Sequence, residues 1–423
     1  MNYKNILSKL TIDEKIKLTS GTSLWDFFGV ERLGLRSIKV ADGPHGVRVN
    51  KKIPVNGEVF GKENLEKSTM FPSAVAMAST FNPDLIFKVG ETIGKECNMF
   101  GIDILLAPGV NSKRSPLGGR NFEYYSEDPF LTGEIATSYI NGVQSTGVGA
   151  CIKHFALNEQ ETQRRFINTL VDERTLFEFY LAPFEKAIKN ANPYTIMSSY
   201  NRVLGDYAGE SKFLLKDVLR DIWEYDGAVI SDWGGVQNKI KSIKNGMNLE
   251  MPGTSEFEYL VKEAILNGDL TEEELDNSLI PLFVLYNKIE KNSNKGLKTS
   301  LLDNHKVASK VAEEGIVLLE NDGILPIKMG KKIAVVGDFA KNPRINGGGS
   351  ASLNPYITEI PLEELSKKYD VTFTEGYIEE FTSEELIKNI KETVKDKELV
   401  IFFTGSPKSY DSEGYDRAHM LLP

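Results

Sequence analysis

Short apolar segments alternate with longer helical stretches along the first 290 residues. Each segment ends in polar or glycine-rich sequence, which is typical of buried strands in a parallel sheet. Strands that alternate with helices predict an α/β fold, and the length of the region favours a (β/α)8-like barrel over the alternative, a doubly wound open sheet. The predicted barrel strands are residues 38–41, 102–107, 150–152, 195–197, 228–230 and 247–249.

A polar, irregular stretch, KIEKNSNKGLKTS at residues 288–300, is typical of a linker. Beyond it the chain again alternates between helical and apolar segments, which predicts a second α/β layer. Helices are expected over residues 306–319, 361–369 and 383–394, and strands over 333–336, 371–373 and 399–403. We therefore expect a catalytic barrel over residues 1–290, a linker over 291–303 and an incomplete (truncated) α/β sandwich domain over 304–423.

Composition excludes several classes of protein. With 41% hydrophobic and 26% charged residues, the chain has the composition of an ordinary globular protein. A formal net charge of -10 and a pI near 5.2 argue against a nucleic-acid binder, whose footprint is basic. Cys97 and Cys151 are too few for a disulfide framework, and no Cys/His spacing predicts a metal site.

The N-terminal segment is charged and amphipathic, and residues 11–14 fit a helix capping box. It lacks the apolar core of a signal peptide, and no run of 18 apolar residues occurs in the chain. We therefore expect a cytoplasmic protein without a membrane partner. The glycine-rich residues 337–338 and 347–350 fit neither GxGxxG nor GxxxxGK[ST], so we expect no nucleotide or other cofactor. The second of these loops is instead expected to bring Ser350 close to a neighbouring site.

Polar residues follow most of the predicted barrel strands. In a barrel the carboxyl ends of the strands meet on one face, so these carboxylates, cations and aromatic rings converge, as suits a ligand rich in hydroxyl groups. Asp42, Arg120, Lys153 and His154 are candidates to hydrogen-bond sugar hydroxyls, each charged contact contributing about 1.5–3 kcal/mol. The cation near Asp232 is also expected to help keep that carboxylate ionised.

Asp232 is the candidate nucleophile, because it stands where the apolar residues 227–230 give way to a carboxylate, an indole and two glycines. Trp233 offers a flat apolar face of the kind that packs on the C–H side of a sugar ring. The alternative is that Asp232 forms a turn or caps a helix, as aspartates at strand ends often do.

Glu413 is the candidate acid/base, carried by the sequence SEGYDR at residues 412–417. The alternative is an exposed charged loop without catalytic function. Two carboxylates that flank one bond are the equipment for hydrolysing a glycoside. A retaining mechanism needs them about 5–5.5 Å apart and an inverting one about 6.5–9.5 Å apart, which a sequence does not reveal.

Motifs spread over almost the whole chain resemble glycoside hydrolase family 3, in particular its bacterial β-glucosidases. These motifs are DGPHGVR at 42–48, GRNFEYYSEDP at 119–129, KHFALNEQETQR at 153–164, MSSYNRV at 197–203, SDWGG at 231–235, LLENDGILPI at 318–327, NGGGSASLNP at 346–355 and SEGYDR at 412–417.

The resemblance implies a role for each matching position. Asp232 is expected to be the nucleophile, Glu413 the acid/base donated by the second domain, Trp233 a sugar-stacking residue and Ser350 a second-domain contact. The subsite for the terminal sugar is expected to comprise Asp42, Arg48, Arg120, Lys153, His154, Met197 and Tyr200. The resemblance also implies a retaining exo-acting β-glucosidase that forms a covalent glycosyl-enzyme, uses no cofactor and acts on small oligosaccharides or glycosides.

Several alternatives stay open. The stretch KHFALNEQET lacks the His/Asp pair of the N-acetylglucosaminidase branch, which argues against that branch, whereas β-xylosidases and other exo-acting members remain. An aldolase with Lys153 as a Schiff base is a third possibility. Because relatives extend further, we also expect a missing C-terminal polypeptide or a homo-oligomer, and a chain that binds sugar without turnover is the non-catalytic alternative.

Overall fold

The computed structural model describes residues 3–51, 64–293, 297–407 and 409–422. In this part of the chain the first sheet has five parallel strands that follow one another in chain order. They are β1 (Val40–Asp42), β2 (Ile104–Leu106), β3 (Gly149–Phe155), β4 (Thr195–Ser198) and β5 (Ala228–Ser231). Five of the six predicted barrel strands are thus confirmed. The sixth contributes a single parallel bridge, between Leu249 and Ile230.

Single bridges close this sheet into a ring. Beyond β5, Glu250 pairs with Ser20 in parallel, and an antiparallel hairpin then joins residues 20–21 to residues 26–27. Asp26 pairs with Lys39, the residue before β1, so that the ring returns to its first strand. The barrel prediction is therefore confirmed over the open sheet, with one antiparallel hairpin where a regular (β/α)8 barrel has parallel strands.

Helices surround the barrel and flank the second sheet. The predicted capping box is confirmed, with Thr11 and Glu14 capping each other's backbone N–H at the start of a helix. The α-helices are Tyr3–Leu7, Ile12–Leu18, Ala74–Ala78, Pro83–Phe100, Pro129–Ser145, Glu173–Thr175, Ala182–Ala191, Lys239–Asn245, Ser255–Asn267, Glu272–Asn292, Leu301–Gly315, Pro361–Ser366 and Glu384–Val394, and π-helical turns run over Leu176–Tyr180 and Phe213–Ile222. In the described ranges, none of the helices is both long and apolar enough to cross a membrane.

Alternate residues of the barrel strands face two different cores, because successive side chains of a strand point to opposite faces. Leu105 and Val229 pack in the cluster that includes the surrounding helices. Ile104 and Ile230 pack in a second cluster, to which β1 to β5 all contribute and which fills the barrel interior. Both faces of the strands are buried, as their continuous apolar sequence predicts.

The second sheet has three parallel strands, with β6 (Lys332–Val336) between β7 (Asp370–Thr374) and β8 (Leu399–Phe402). The three predicted strands are confirmed. Short pairings complete the described strands: Lys67–Ser68 with Asn354–Pro355, and Arg202–Val203 with both Asn168–Thr169 and Asp206–Tyr207.

The helix expected over residues 306–319 lies instead at Leu301–Gly315. Val311 is buried and Val307 packs against the barrel core, but Ile316 and Leu319, which the expected helix includes, lie beyond its end and are 77% and 93% exposed, so the predicted C-terminal end of this helix is wrong. The helix ends at Gly315, where a Cβ would lie only 2.7 Å from the backbone oxygen of Ala76.

Candidate active site

Three of the predicted residues point into the barrel mouth from separate strands. Asp42 ends β1, Lys153 lies in β3 and Asp232 follows β5. Each stands two residues beyond a member of the interior cluster, so the two-residue period of a strand turns all three side chains inward. They are 7%, 1% and 7% exposed. The parallel sheet thus brings together residues that are far apart in the sequence.

Asp232 has one oxygen held and one available. Its Oδ1 accepts the backbone N–H of Trp233 at 2.7 Å, whereas Oδ2 lies 3.7 Å from Nε2 of His154 and has no hydrogen-bond partner among the described residues. The helix that follows is capped by Asn238 and not by Asp232. The turn-or-cap alternative therefore does not account for the buried, unpaired oxygen.

Burial and the nearby Glu413 raise the pKa of Asp232, and the charges of Arg120, Arg164 and Lys153 oppose this shift without cancelling it. The sequence predicted that a nearby cation helps to keep this carboxylate ionised. The charges of Arg120, Arg164 and Lys153 do act in that direction, whereas burial, which a sequence does not show, acts against them.

A buried network of charges lines the pocket beside Asp232. Nζ of Lys153 lies 3.0 Å from Oδ1 of Asp42 and 3.6 Å from Oε1 of Glu123. Arg120 binds Glu123 through two hydrogen bonds of 2.7 and 2.8 Å. Buried charges must be paired, and a bidentate pair also fixes the planes of both groups. The network therefore holds the two cations and Asp42 in place before any ligand arrives.

His154 faces Asp232 as a neutral ring. Burial, with the charges of Arg120 and Lys153, lowers its pKa well below the usual value. Its Nδ1 lies 3.2 Å from the hydroxyl of Tyr124 and 3.3 Å from Oδ1 of Asn111, which leaves Nε2 directed at the pocket. The β3–β4 pairing shifts register after residue 152, and this irregularity allows adjacent residues 153 and 154 both to serve the site.

Glu413 reaches the same pocket from the second unit, which is the part of the chain that carries strands β6 to β8. Its Oε1 accepts a hydrogen bond from Nη2 of Arg164 at 2.8 Å and lies 3.8 Å from Nη1 of Arg120, and its Oε2 accepts the backbone N–H of Ser350 at 3.0 Å. Burial raises the pKa of Glu413, but the charges of Arg120 and Arg164 outweigh burial and hold it well below its usual value. Gly349 is required here, because its φ is +88° and a Cβ would lie 2.4 Å from Cβ of Glu413.

Carboxylates from both units tie down the loop that carries Glu413. Asp416 accepts the backbone N–H groups of Gly119, Glu161 and Thr162 at 2.8–3.1 Å. In return, Oε2 of Glu161 accepts the backbone N–H of Gly414 at 2.8 Å. The alternative of a free, exposed loop does not fit these contacts.

The remaining predicted residues lie around this centre. Tyr200 donates its hydroxyl to the backbone oxygen of Trp233 at 3.1 Å, and Arg48 donates to the backbone oxygen of Ser350 at 3.3 Å. Trp233 donates its indole N–H to a backbone oxygen, and its ring centroid lies 5.7 Å from that of Trp25. Met197 is buried in β4 within the interior cluster.

Sequence reasoning missed five residues of this site. Glu123, Glu161, Arg164 and Asp416 all lie inside motifs that the resemblance quoted, so the signal was present but no role was assigned. Trp25 lies outside every motif and is brought to Trp233 by the hairpin that closes the barrel. Among the described residues, no group of histidine, cysteine and acidic side chains could hold a metal ion.

Family models match the chain in two blocks. A model described as the glycosyl hydrolase family 3 N terminal domain matches residues 51–282, and the C-terminal domain model matches residues 316–423. The chain belongs to glycoside hydrolase family 3. The resemblance stated from the motifs is thereby confirmed, together with the barrel and α/β sandwich architecture.

Relatives within family 3 carry different names. Thermostable beta-glucosidase B of Acetivibrio thermocellus is 40% identical over 431 residues, which cover 100% of this chain and 57% of the relative. Exo-alpha-(1->6)-L-arabinopyranosidase of Bifidobacterium longum is 40% identical over 428 residues, 98% of this chain and 56% of the relative. Beta-glucosidase 3B of Thermotoga neapolitana, solved in complex with alpha-D-glucose, is similar with a TM-score of 0.88 and 35% identity, covering 100% of this chain and 64% of that one. The chain thus spans little more than half the length of the two curated relatives.

Proposed function

We propose that this chain carries the active site of a retaining, exo-acting β-glucosidase, which hydrolyses terminal non-reducing β-D-glucosyl residues of small oligosaccharides or glycosides. The observation that carries the proposal is the convergence of Asp232 and Glu413 from two units on the same cations, Arg120 and Arg164. Burial raises the pKa of Asp232 and the two cations lower that of Glu413, which is the reverse of what the first step needs from a nucleophile and an acid, so the support comes from the geometry and not from these shifts.

The reaction needs one bond made and one bond broken in each of two steps. In the first, Oδ2 of Asp232 bonds to the anomeric carbon while the bond to the leaving oxygen breaks, and Glu413 gives that oxygen its proton. In the second, Glu413 takes a proton from water, the water oxygen bonds to the anomeric carbon, and the ester bond to Asp232 breaks. Both carboxyl groups return to their starting protonation states.

The terminal sugar is held by groups already fixed by the charge network. Asp42 is an acceptor for sugar hydroxyls, whereas Lys153 and Arg120 are donors, and His154 offers Nε2 beside the nucleophile. Because these charges are already paired with one another, binding exchanges hydrogen bonds and does not require new burial of charge. Trp233 supplies an apolar wall for the ring.

A pentopyranosidase is the second candidate. The Bifidobacterium longum relative, at 40% identity, is named for an L-arabinopyranoside, a sugar without the exocyclic carbon of glucose. A panel of 4-nitrophenyl β-D-glucoside, β-D-xyloside and α-L-arabinopyranoside separates these candidates, since a pocket shaped for glucose loses the contacts to that carbon. We also keep as proposals the domain boundaries at 290 and 304, a cytoplasmic location and a homo-oligomeric state.

The decisive experiment replaces Asp232 with alanine and measures hydrolysis of 4-nitrophenyl β-D-glucoside. We expect a loss of roughly 10⁴-fold or more, with the exposed Asp221→Ala as the matched control. NMR of the first product should show the β-anomer before mutarotation. Normal turnover in Asp232→Ala contradicts the proposal. Binding of gluconolactone by calorimetry without turnover in the unaltered chain supports the sugar-binding alternative instead.

A further inference from the structure

Arg164 lies between two carboxylates that come from different units of the protein. Its Nη1 lies 2.6 Å from Oε2 of Glu161 in the same segment, and its Nη2 lies 2.8 Å from Oε1 of Glu413. The guanidinium also covers the ring of Tyr200, 4.4 Å from its centroid, and the side chain is only 13% exposed. One buried cation is therefore divided between the candidate acid/base and a carboxylate outside the candidate catalytic pair.

Both oxygens of Glu413 accept hydrogen bonds in this arrangement, one from Arg164 and the other from the backbone N–H of Ser350. Donors on both oxygens favour the ionised form of a carboxyl group. An ionised Glu413 serves the second step of the reaction, which needs a base, but not the first step, which needs an acid. This arrangement thus fits only half of the cycle.

Glu161 offers Arg164 an alternative partner. Oε2 of Glu161 already binds Arg164 and the backbone N–H of Gly414, whereas Oε1 is buried and has no hydrogen-bond partner among the described residues. Arg164 can therefore leave Glu413 and become bidentate on Glu161 without leaving its position. The loop stays anchored meanwhile, because its contacts through Gly414 and Asp416 do not involve Glu413.

We propose that Arg164 is a positioning residue that holds Glu413 in its ionised form and transfers to Glu161 when Glu413 must carry a proton. The proposal rests on the function proposed above. The charged groups that face Glu413 are the cations Arg120 and Arg164 and the anions Asp42, Glu123, Glu161 and Asp232. Arg120 is fixed on Glu123 by two hydrogen bonds, which leaves Arg164 as the cation with a second partner to move to.

The test compares pH profiles of kcat/KM for three variants. Hydrolysis of phenyl β-D-glucoside needs a proton donor, whereas hydrolysis of 2,4-dinitrophenyl β-D-glucoside does not. The fall in kcat/KM at high pH that is seen only with phenyl β-D-glucoside therefore reports the deprotonation of Glu413 and is called here the Glu413 limb. We expect this limb to move up by about one pH unit in Arg164→Gln, because an opposite charge nearby lowers a carboxyl pKa by about 1–3 units. Arg164→Lys should restore it towards the original value. Glu161→Gln should move it down, because Arg164 then binds Glu413 alone.

A second readout separates this proposal from the proposed function. The carboxyl ¹³C signal of Glu413, assigned by its loss in Glu413→Gln, can be titrated by NMR without any turnover. We expect its pKa to be higher in Arg164→Gln and lower in Glu161→Gln than in the unaltered chain. One result would overturn the role of Arg164 and leave the glucosidase proposal standing. In it, turnover of the Arg164 variants falls by the same factor at all pH values, while the Glu413 limb of the pH profile and the pKa from the ¹³C titration do not move. An absence of turnover in the unaltered chain contradicts only the glucosidase proposal. If Arg164→Gln does not fold, the shift measured in Glu161→Gln still decides the role of Arg164.

Discussion

The barrel floor and the loop above it hold their carboxylates in opposite ways. Asp232 is placed by β5, whose strand pairing and two buried faces fix where its side chain begins, and its Oδ2 has no hydrogen-bond partner among the described residues. Glu413 belongs to a loop and is placed by donors on both oxygens. Asp232 is thus placed mainly by the backbone of its strand, and Glu413 mainly by the donors around its carboxylate. A carboxylate held by charges can change its protonation state without a change of fold.

The barrel sheet and the second sheet also differ in how deeply their strands are buried. Val229 and Ile230 of the barrel are fully buried, whereas Val400 and Phe402 of the second sheet are 46% and 56% exposed. The loop of Glu413 therefore depends on contacts with the barrel as much as on its own sheet. Four substitutions test this contrast, and their expected effects decrease from the first to the last.

Glu413→Ala should lower kcat/KM for phenyl β-D-glucoside by about 10²–10⁴-fold, because general acid catalysis contributes that much. With 2,4-dinitrophenyl β-D-glucoside the first step needs no acid, and kcat/KM should change far less. Steady-state kinetics on both substrates checks this, with exposed Glu363→Ala as control. Equal losses on the two substrates would show that Glu413 has another role.

Lys153→Met should destabilise the protein by about 3–5 kcal/mol, because it leaves Asp42 and Glu123 buried without their shared cation. Urea unfolding measures the free energy, and exposed Lys189→Met should stay within about 0.5 kcal/mol of the unaltered chain. An unchanged free energy of unfolding in Lys153→Met would mean that the floor does not depend on its charge network.

Asp416→Ala removes the acceptor of three backbone N–H groups and should loosen the loop without disturbing the barrel. A misplacement of about 1 Å can cost roughly 10²-fold, so kcat/KM for phenyl β-D-glucoside should fall by up to that factor. The loss should be smaller with 2,4-dinitrophenyl β-D-glucoside. Exposed Asp396→Ala is the control, and a loss independent of the leaving group contradicts the loop's role.

Glu159→Gln should change how stability depends on pH. Burial raises the pKa of Glu159 to about 8, partly offset by a hydrogen bond from Asn111 and the charge of Arg114. Between the ordinary pKa of 4.5 and about 8 the folded chain keeps a proton that the unfolded chain releases, so stability falls as pH rises, by at most about 1.4 kcal/mol per unit. The variant should lose this slope in urea unfolding between pH 5 and 8, and exposed Glu178→Gln should keep it.

The sequence allowed the barrel strands to be predicted because both of their faces are buried, which makes each strand a continuous apolar run. It did not reveal the closing segments at residues 20–21 and 26–27, since SGTSLWDFF has no such run and pairs through single bridges. Likewise, periodicity could not show that Gly315 ends its helix against Ala76.

For the site, chain motifs located both carboxylates, but not what determines their ionisation. That depends on burial and on backbone donors such as the N–H of Ser350, which every residue except proline possesses and no motif records. The same holds for the three backbone N–H groups that bind Asp416. The chemistry of the side chains can be read from a sequence. The contacts that main-chain groups make with those side chains are seen only in the folded structure.

The short parallel pairing of Lys67–Ser68 with Asn354–Pro355 joins the barrel to the second unit through main-chain atoms. Main-chain pairing tolerates replacement of the side chains that flank it. The placing of Glu413 over the barrel is therefore insulated from drift at these positions, so that side chains lining the pocket can be exchanged while the spacing between the proposed acid/base and the proposed nucleophile is kept.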